Sequence, residues 1–320
     1  MSTRTRTRTV SVKEWMLNNG ALVGLIVLII VLAIASPSFL SFTNIINVGV
    51  QAATVAIIAF GMTFVIVTGG IDLSVGAVAA LGGMVAAYSW SEMGLPGWLT
   101  LIAGFLTGLL AGVIAGLSIA YGKLPAFIAT LALMSIARGL TLVISEGSPA
   151  ASPESVNWMG TDLGPLPMPI IMMLVAGLIC WFVLSRTVLG RSMYAIGGNL
   201  DAARLSGLPV RRILISVYAL SGLFAAWAGL VMTARLSSAQ PNAGTGYELD
   251  AIAAVVIGGA SLSGGRGGAW GTFVGALLLA VIRNGLNLLN VSSFWQQIVI
   301  GLVIAAAVGF DVIRNKTIAQ

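Results

Sequence analysis

Apolar residues gather in long tracts separated by brief polar punctuation, from Gly20 almost to the C-terminus. The tracts run over about 20–36, 45–68, 72–90, 98–121, 125–145, 167–185, 212–235, 247–263, 269–290 and 294–313. Each is near the roughly 20 apolar residues a helix needs to cross a bilayer. The pattern therefore predicts an all-α integral membrane protein of about ten transmembrane helices. A single polytopic domain, 20–313, is flanked by an N-terminal segment, 1–19, and a tail, 314–320. The first tract follows a basic lead and could pass for a secretion signal. Its apolar run reaches Ser36 and Pro37, and many tracts follow, so an uncleaved first helix is expected.

A self-similarity refines this picture. Gly70–Gly83 (GIDLSVGAVAALGG) aligns without gaps on Gly246–Gly259 (GYELDAIAAVVIGG), with five identical positions. Asp72 meets Glu248, and after a loop shorter by five residues Gly104 meets Gly275 and Phe127 meets Ile298. Five crossings separate the two copies, an odd number, so the halves, about 45–145 and 212–313, are expected to have inverted topology. Transporters built this way place the substrate path at the repeat interface and use interrupted helices there. Thr68-Gly69-Gly70-Ile71-Asp72 and Ala243-Gly244-Thr245-Gly246-Tyr247-Glu248 supply the punctuation, so interrupted helices are expected near Asp72 and Glu248.

Composition agrees. The chain is 58% apolar and 8% charged, against about 25% charged residues in soluble domains. Its forty glycines suit close helix packing where lipid supplies no hydrophobic drive. With one cysteine, Cys180, no intrachain disulfide can form, and the lack of histidine removes imidazole metal ligands. No metal site or cofactor is expected. Placing the N-terminus in the cytoplasm puts thirteen of the sixteen basic residues there, among them Arg4, Arg6, Arg8, Lys13, Lys123, Arg266, Arg314 and Lys316. Both termini are expected inside, and the basic excess calls for no nucleic-acid partner.

Candidate chemistry is sparse. An acid at the bilayer centre costs about 2.5–3.5 kcal/mol on insertion scales, so Asp72, Glu248 and Asp250 should face protein or water. Each stands near an expected helix start, where capping alone would explain a carboxylate. Lining a pathway beside Ser74 is the functional reading. Asn284 and Asn287, with Arg283, fall inside the ninth tract, and Asn47 and Gln51 lie one turn apart in the second. Such amides can replace the hydrogen bonds a hydroxylated solute loses, or tie helices together. Arg138 is expected to snorkel outward. Trp90, Trp98, Trp158 and Trp295 sit near span ends, as an interfacial belt would. The phosphate-binding pattern GxxxxGK[ST] is absent, so any ATP must be bound by another polypeptide.

The loop 186–212 is long and basic, and its centre from Asn199 to Ser206 predicts a short helix capped by Asn199 and ended by Gly207. Asp201-Ala202-Ala203-Arg204-Leu205-Ser206-Gly207 resembles the coupling segment of ABC importer permeases, Glu-Ala-Ala-x-x-x-Gly, with Asp for Glu. The Ile-x-Leu-Pro usual downstream is missing. The stretches GMTFVIVTGGIDLSVG from Gly61, GKLPAFIATLALMSIARG from Gly122, RLSSAQPNAGTGYELDAIAAVVIGGASLSGG from Arg235 and NGLNLLNVSS from Asn284 extend the likeness over nearly the whole chain. Together they resemble bacterial sugar permeases of the ribose, xylose and galactose group, its ribose members most of all.

That resemblance implies a permease subunit of the bacterial inner membrane that carries a monosaccharide inward by alternating access. It implies a second permease copy, an ABC ATPase subunit on the cytoplasmic face and an extracytoplasmic sugar-binding protein. The ATPase contact would fall on Asn199, Asp201, Ala202, Ala203, Ser206 and Gly207. An ion-gradient-driven transporter or channel is the alternative that inverted repeats alone allow. An intramembrane enzyme finds no nucleophile paired with a base.

Overall fold

The computed structural model describes residues 20–318. The segment 1–19, with Arg4, Arg6, Arg8 and Lys13, lies outside the described residues, as do the side chains of Arg314 and Lys316. The helices are α1 (Gly20–Ala35), α2 (Phe42–Val67), α3 (Val75–Ser91), α4 (Gly97–Ala120), α5 (Ala126–Ser145), the one-turn α6 (Glu154–Asn157) and α7 (Met168–Arg186). They continue as α8 (Val188–Gly198), α9 (Leu200–Leu205), α10 (Val210–Leu236), α11 (Tyr247–Ile257), α12 (Ala269–Leu288) and α13 (Ser293–Ile318).

Each apolar tract contains a helix, but among the described residues six helices, α2, α4, α5, α7, α10 and α12, are long and apolar enough to cross a bilayer. The eighth tract departs most from expectation. Its helix α11 has 11 residues, about 16 Å at 1.5 Å each, roughly half the hydrocarbon thickness. Expected helix to residue 263 is replaced by a glycine turn, with Gly259, Gly264, Gly265 and Gly267 at positive φ. The other interruption is present too: residues 68–74 leave the helix before α3 begins at Val75.

Several boundaries follow from the local sequence. Pro96, Pro125 and Pro167 stand immediately before α4, α5 and α7. Proline's missing N–H costs nothing at a helix start, where that donor has no partner within the helix. Ser41 caps α2 by accepting from the Asn44 amide. Glu146 and Ser237, both left-handed, end α5 and α10.

The all-α expectation needs one small amendment. Residues 150–151 (β1) pair antiparallel with 238–239 (β4), and Asp162–Leu163 (β2) pairs with Leu166–Pro167 (β3). With α6 and the 3₁₀ turn Trp158–Gly160, this makes the 146–167 connection an ordered cap packed on α4, α7 and α10. The long loop 186–212 is therefore not the only elaborated connection.

Helix α2 is the hub. Every residue from Ala52 to Val67 is buried, and α2 packs against α7, α10, α11 and α12. Helix α10 is the second pillar, against α3 and α4. The packing has a pattern: α10 lies on α3 and α4 as α2 lies on α11 and α12, and α3 packs on α4 and α5 as α11 packs on α12 and α13.

Small residues allow these approaches. Gly104, Gly108, Gly112 and Gly116 recur every four residues, which places them on one face of α4. A Cβ on Gly108 would strike the Gly222 carbonyl, on Gly112 the Tyr218 carbonyl, and on Gly116 the Ile215 Cα at 2.7 Å. The α4–α10 contact is thus backbone against backbone. Gly275 and Gly271 do the same for α12 on α11, against Ala254 and Gly258. Thr63 of α2 and Thr272 of α12 share a buried hydroxyl hydrogen bond of 2.7 Å. Substituting Gly112→Leu is expected to destabilise the fold by about 1–3 kcal/mol through overpacking. Gly139→Ala on α5, where an added methyl meets nothing within 4 Å, should not lower stability. Thermal unfolding of the purified variants in one detergent checks the contrast.

Candidate translocation site and coupling surface

Three of the candidate pathway residues converge. Gln51 of α2, Asp250 of α11 and Asn287 of α12 line one cavity of about 200 Å³, together with Arg235, Tyr247, Arg283 and Gln296. Asp250 is buried, and its Oδ2 accepts from Arg283 Nη2 at 2.6 Å. Asn287 Oδ1 accepts from Gln296 Nε2 at 2.8 Å. The walls therefore alternate amide and charged groups with the apolar Ala52, Val55 and Leu279. The half-length α11 makes this possible, because its first turn ends within the protein and delivers both Tyr247 and Asp250 to the cavity. A hydroxylated solute would find donors and acceptors here, with Arg283 held by Asp250 and Arg235 as a further donor.

Asn47 is not brought to this cavity. It lines a neighbouring one of about 400 Å³ between the start of α2 and the 160–169 region. Arg235 borders both cavities and donates to Thr54 Oγ1 at 3.4 Å. Sequence reasoning overlooked Arg235 as a lining group because it falls at a helix end, where a basic residue needs no special explanation.

The remaining candidates are tied into the scaffold. Asp72 is buried; its Oδ1 accepts from both the amide and the hydroxyl of Ser74, at 3.0 and 2.6 Å, and its Oδ2 from Ser221 of α10 at 2.8 Å. It thus joins the start of α3 to α10. Asn284 is buried in a reciprocal amide pair with Asn44, at 2.8 and 2.9 Å, and so links α12 to α2. Asn44 carried no sequence signal beyond its type. Glu248 is half-buried beside Gly76, where only a residue without a side chain leaves space for its carboxylate. Arg138 does not snorkel. Its Nη1 donates to the Pro241 and Ala243 carbonyls, both at 2.9 Å, because the irregular chain before α11 has no helical donors for them.

On the opposite end of the molecule, Asn199 caps α9 by accepting from the Ala202 amide at 2.9 Å, and Gly207 follows at φ +79°. Asp201, Ala202 and Ser206 are exposed, whereas Ala203 is buried. The preceding α8 is anchored: Tyr194 Oη donates to the Gly267 carbonyl at 2.8 Å, and Gly197 lies directly on the Val67 carbonyl at the end of α2. Gly265 N also donates to that carbonyl, at 2.9 Å. A protruding short helix is thus connected through α8 to the hub helix.

Apolar spans packed around a polar cavity are the arrangement of a membrane transport protein. The chain belongs to the family described as the permease component of branched-chain amino acid transport systems, whose pattern matches residues 44–308. It is 47% identical over 308 residues to the ribose import permease RbsC of Bacillus subtilis, covering 93% of each chain. It is 40% identical over 295 residues to the D-allose transport system permease AlsC of Escherichia coli, covering 91% of this chain and 90% of that one. The L-arabinose transport system permease AraH of Escherichia coli matches at 40% over 304 residues, 93% of this chain and 91% of its own. No solved structure matches. The chain is a multi-pass permease subunit of an ABC importer rather than an ion-gradient-driven carrier.

The Asp72 junction is expected to be structural. Asp72→Ala, which strands Ser221, should lower stability by about 1–3 kcal/mol. Asp250→Asn, which keeps an acceptor for Arg283, should instead impair transport more than stability, and comparing uptake with thermal unfolding for both variants separates the roles.

Proposed function

We propose that this chain carries a monosaccharide, ribose or a close pentose analogue, inward across the bacterial cytoplasmic membrane by alternating access. The likeness to ribose import permeases over more than nine-tenths of the chain carries this reading. The cavity of Gln51, Arg235, Asp250, Arg283 and Asn287 supports it, since its amide and charged groups offer donors and acceptors to hydroxyls. In this proposal Asn47 lies in the vestibule that leads to the cavity, while Asp72, Ser74 and Asn284 keep its walls in place.

About ten membrane-embedded helices are proposed in two inverted halves, 45–145 and 212–313. Support comes from the matched packing of α2 on α11 and α12 and of α10 on α3 and α4. The shorter α1, α3 and α13 would complete the span set, and α11 would enter from one side only. Both termini would face the cytoplasm.

A second permease copy, a separate ABC ATPase and an extracytoplasmic sugar-binding protein would complete the machine. Asn199, Asp201, Ala202, Ala203, Ser206 and Gly207 would present α9 to the ATPase. Displacement of α9 would then pass through α8, by way of Gly197 and Tyr194, to the C-terminal end of α2 and the 258–268 turn.

Two outcomes test this reading. Vesicles holding this chain with the ATPase and loaded binding protein should accumulate labelled ribose only with ATP. Accumulation driven by a proton gradient alone would contradict the proposal. Gly207→Val forces a branched side chain into the left-handed region, which costs about 1–2 kcal/mol locally. Co-purification with the ATPase should fall while membrane insertion stays normal.

A further inference from the structure

At the end of α4, far along the chain from the sugar cavity, two adjoining cavities of about 610 and 370 Å³ open between Tyr121, the 123–125 turn and the start of α10. Their walls carry Lys123, Arg204, Arg211 and Arg212. Of these four, only Arg204 has a carboxylate within 4 Å among the described residues, the exposed Asp201 at 3.4 Å. Lys123, Arg211 and Arg212 are therefore concentrated positive charge with no counter-ion among the described residues. Tyr121 packs under the Arg211 guanidinium, 5.2 Å from its ring centroid, which holds that charge at the mouth of the cavity. Lys123 occupies the left-handed region, φ +55°, a conformation that glycine or asparagine adopts more readily.

The apolar surroundings indicate what approaches. Leu117 of α4, Leu124 of the turn, and Phe127 and Leu131 of α5 are exposed, and both helices are spans, so acyl chains cover the surface that borders the cavities. Basic pockets between spans at the membrane boundary suit anionic lipid headgroups. Positive residues placed only to orient the chain would need neither a shared cavity nor an aromatic support.

We propose that this pocket binds the phosphate of an anionic phospholipid headgroup, with Lys123, Arg211 and Arg212 as its cationic ligands and Tyr121 as its positioning residue. The bound lipid would neutralise the base of α10, the helix that follows the coupling segment, and so brace that segment against the bilayer.

Native mass spectrometry of the full-length detergent-solubilised chain, titrated with phosphatidylglycerol, phosphatidylcholine or inorganic phosphate, tests this. Wild type should retain phosphatidylglycerol selectively. Lys123→Gln with Arg211→Gln should weaken it by about 30-fold, at roughly fivefold per charge near an anionic surface. Arg191→Gln with Arg266→Gln, an equal charge loss on exposed residues elsewhere, should leave it unchanged. Equal retention of phosphatidylcholine, or an equal loss in the control pair, would overturn the proposal. So would displacement by millimolar phosphate, which would indicate a free-anion site. Unchanged lipid binding in the Lys123/Arg211 variant with lost ATPase co-purification would reassign the patch to the protein partner.

Discussion

Backbone must touch backbone at the centre of this molecule. Lipid tails are as apolar as leucine, so helices in a bilayer gain little by hiding apolar side chains and associate instead through close packing and a few hydrogen bonds. The glycine face of α4 supplies that contact against α10, and Gly258, Gly271 and Gly275 supply it between α11 and α12. Around these two seams α2 is enclosed along most of its length, which lets it hold the polar cavity away from lipid near one end and meet α8 at the other. Loosening either seam would disturb both the path and its drive.

Polar groups in the interior divide into two kinds by how completely they are satisfied. Asp72 with Ser74 and Ser221, the Asn44–Asn284 pair and the Thr63–Thr272 pair are closed sets that join neighbouring helices. Their donors and acceptors are used within the protein, so they fix helix positions. The groups around Gln51, Asn287 and the Asp250–Arg283 pair border open volume instead. In the proposed function these, with Asn47 and Arg235 at the neighbouring cavity, are the groups able to exchange partners with a passing solute. The same distinction explains why an acid in a membrane segment is by itself weak evidence for transport: Asp72 and Asp250 are both buried acids near helix starts, and their neighbours decide what each does.

Much of the architecture was legible in the sequence because apolar tract length, proline and glycine act locally. Pro96, Pro125 and Pro167 mark helix starts, and Asn199 and Gly207 delimit α9 within a residue of expectation. Non-local facts were hidden. In the eighth tract Gly258-Gly259 marks the stop after Ile257, but the apolar run that continues to Ser263 outweighs it when the tract is read by hydropathy alone. Arg138 reads as a snorkelling residue until the carbonyls of Pro241 and Ala243, more than a hundred positions away, are placed beside it. Asn44 and Arg235 were missed for the same reason. The ordered 146–167 cap escaped notice because elements of two to four residues are too short to carry a periodic signal.

In the proposed arrangement, two halves of opposite membrane polarity enclose the sugar path. The loop between α3 and α4 and the loop between α11 and α12 are counterparts under that relation, and each has an exposed position, Met93 and Ser263. Cys180 is buried and contributes little background to thiol labelling. Met93→Cys and Ser263→Cys, reacted separately with a membrane-impermeant maleimide in sealed vesicles of known orientation, give the most direct test. The account predicts that Met93→Cys labels only from the outside and Ser263→Cys only from the cytoplasmic side; labelling of both from the same side would contradict it.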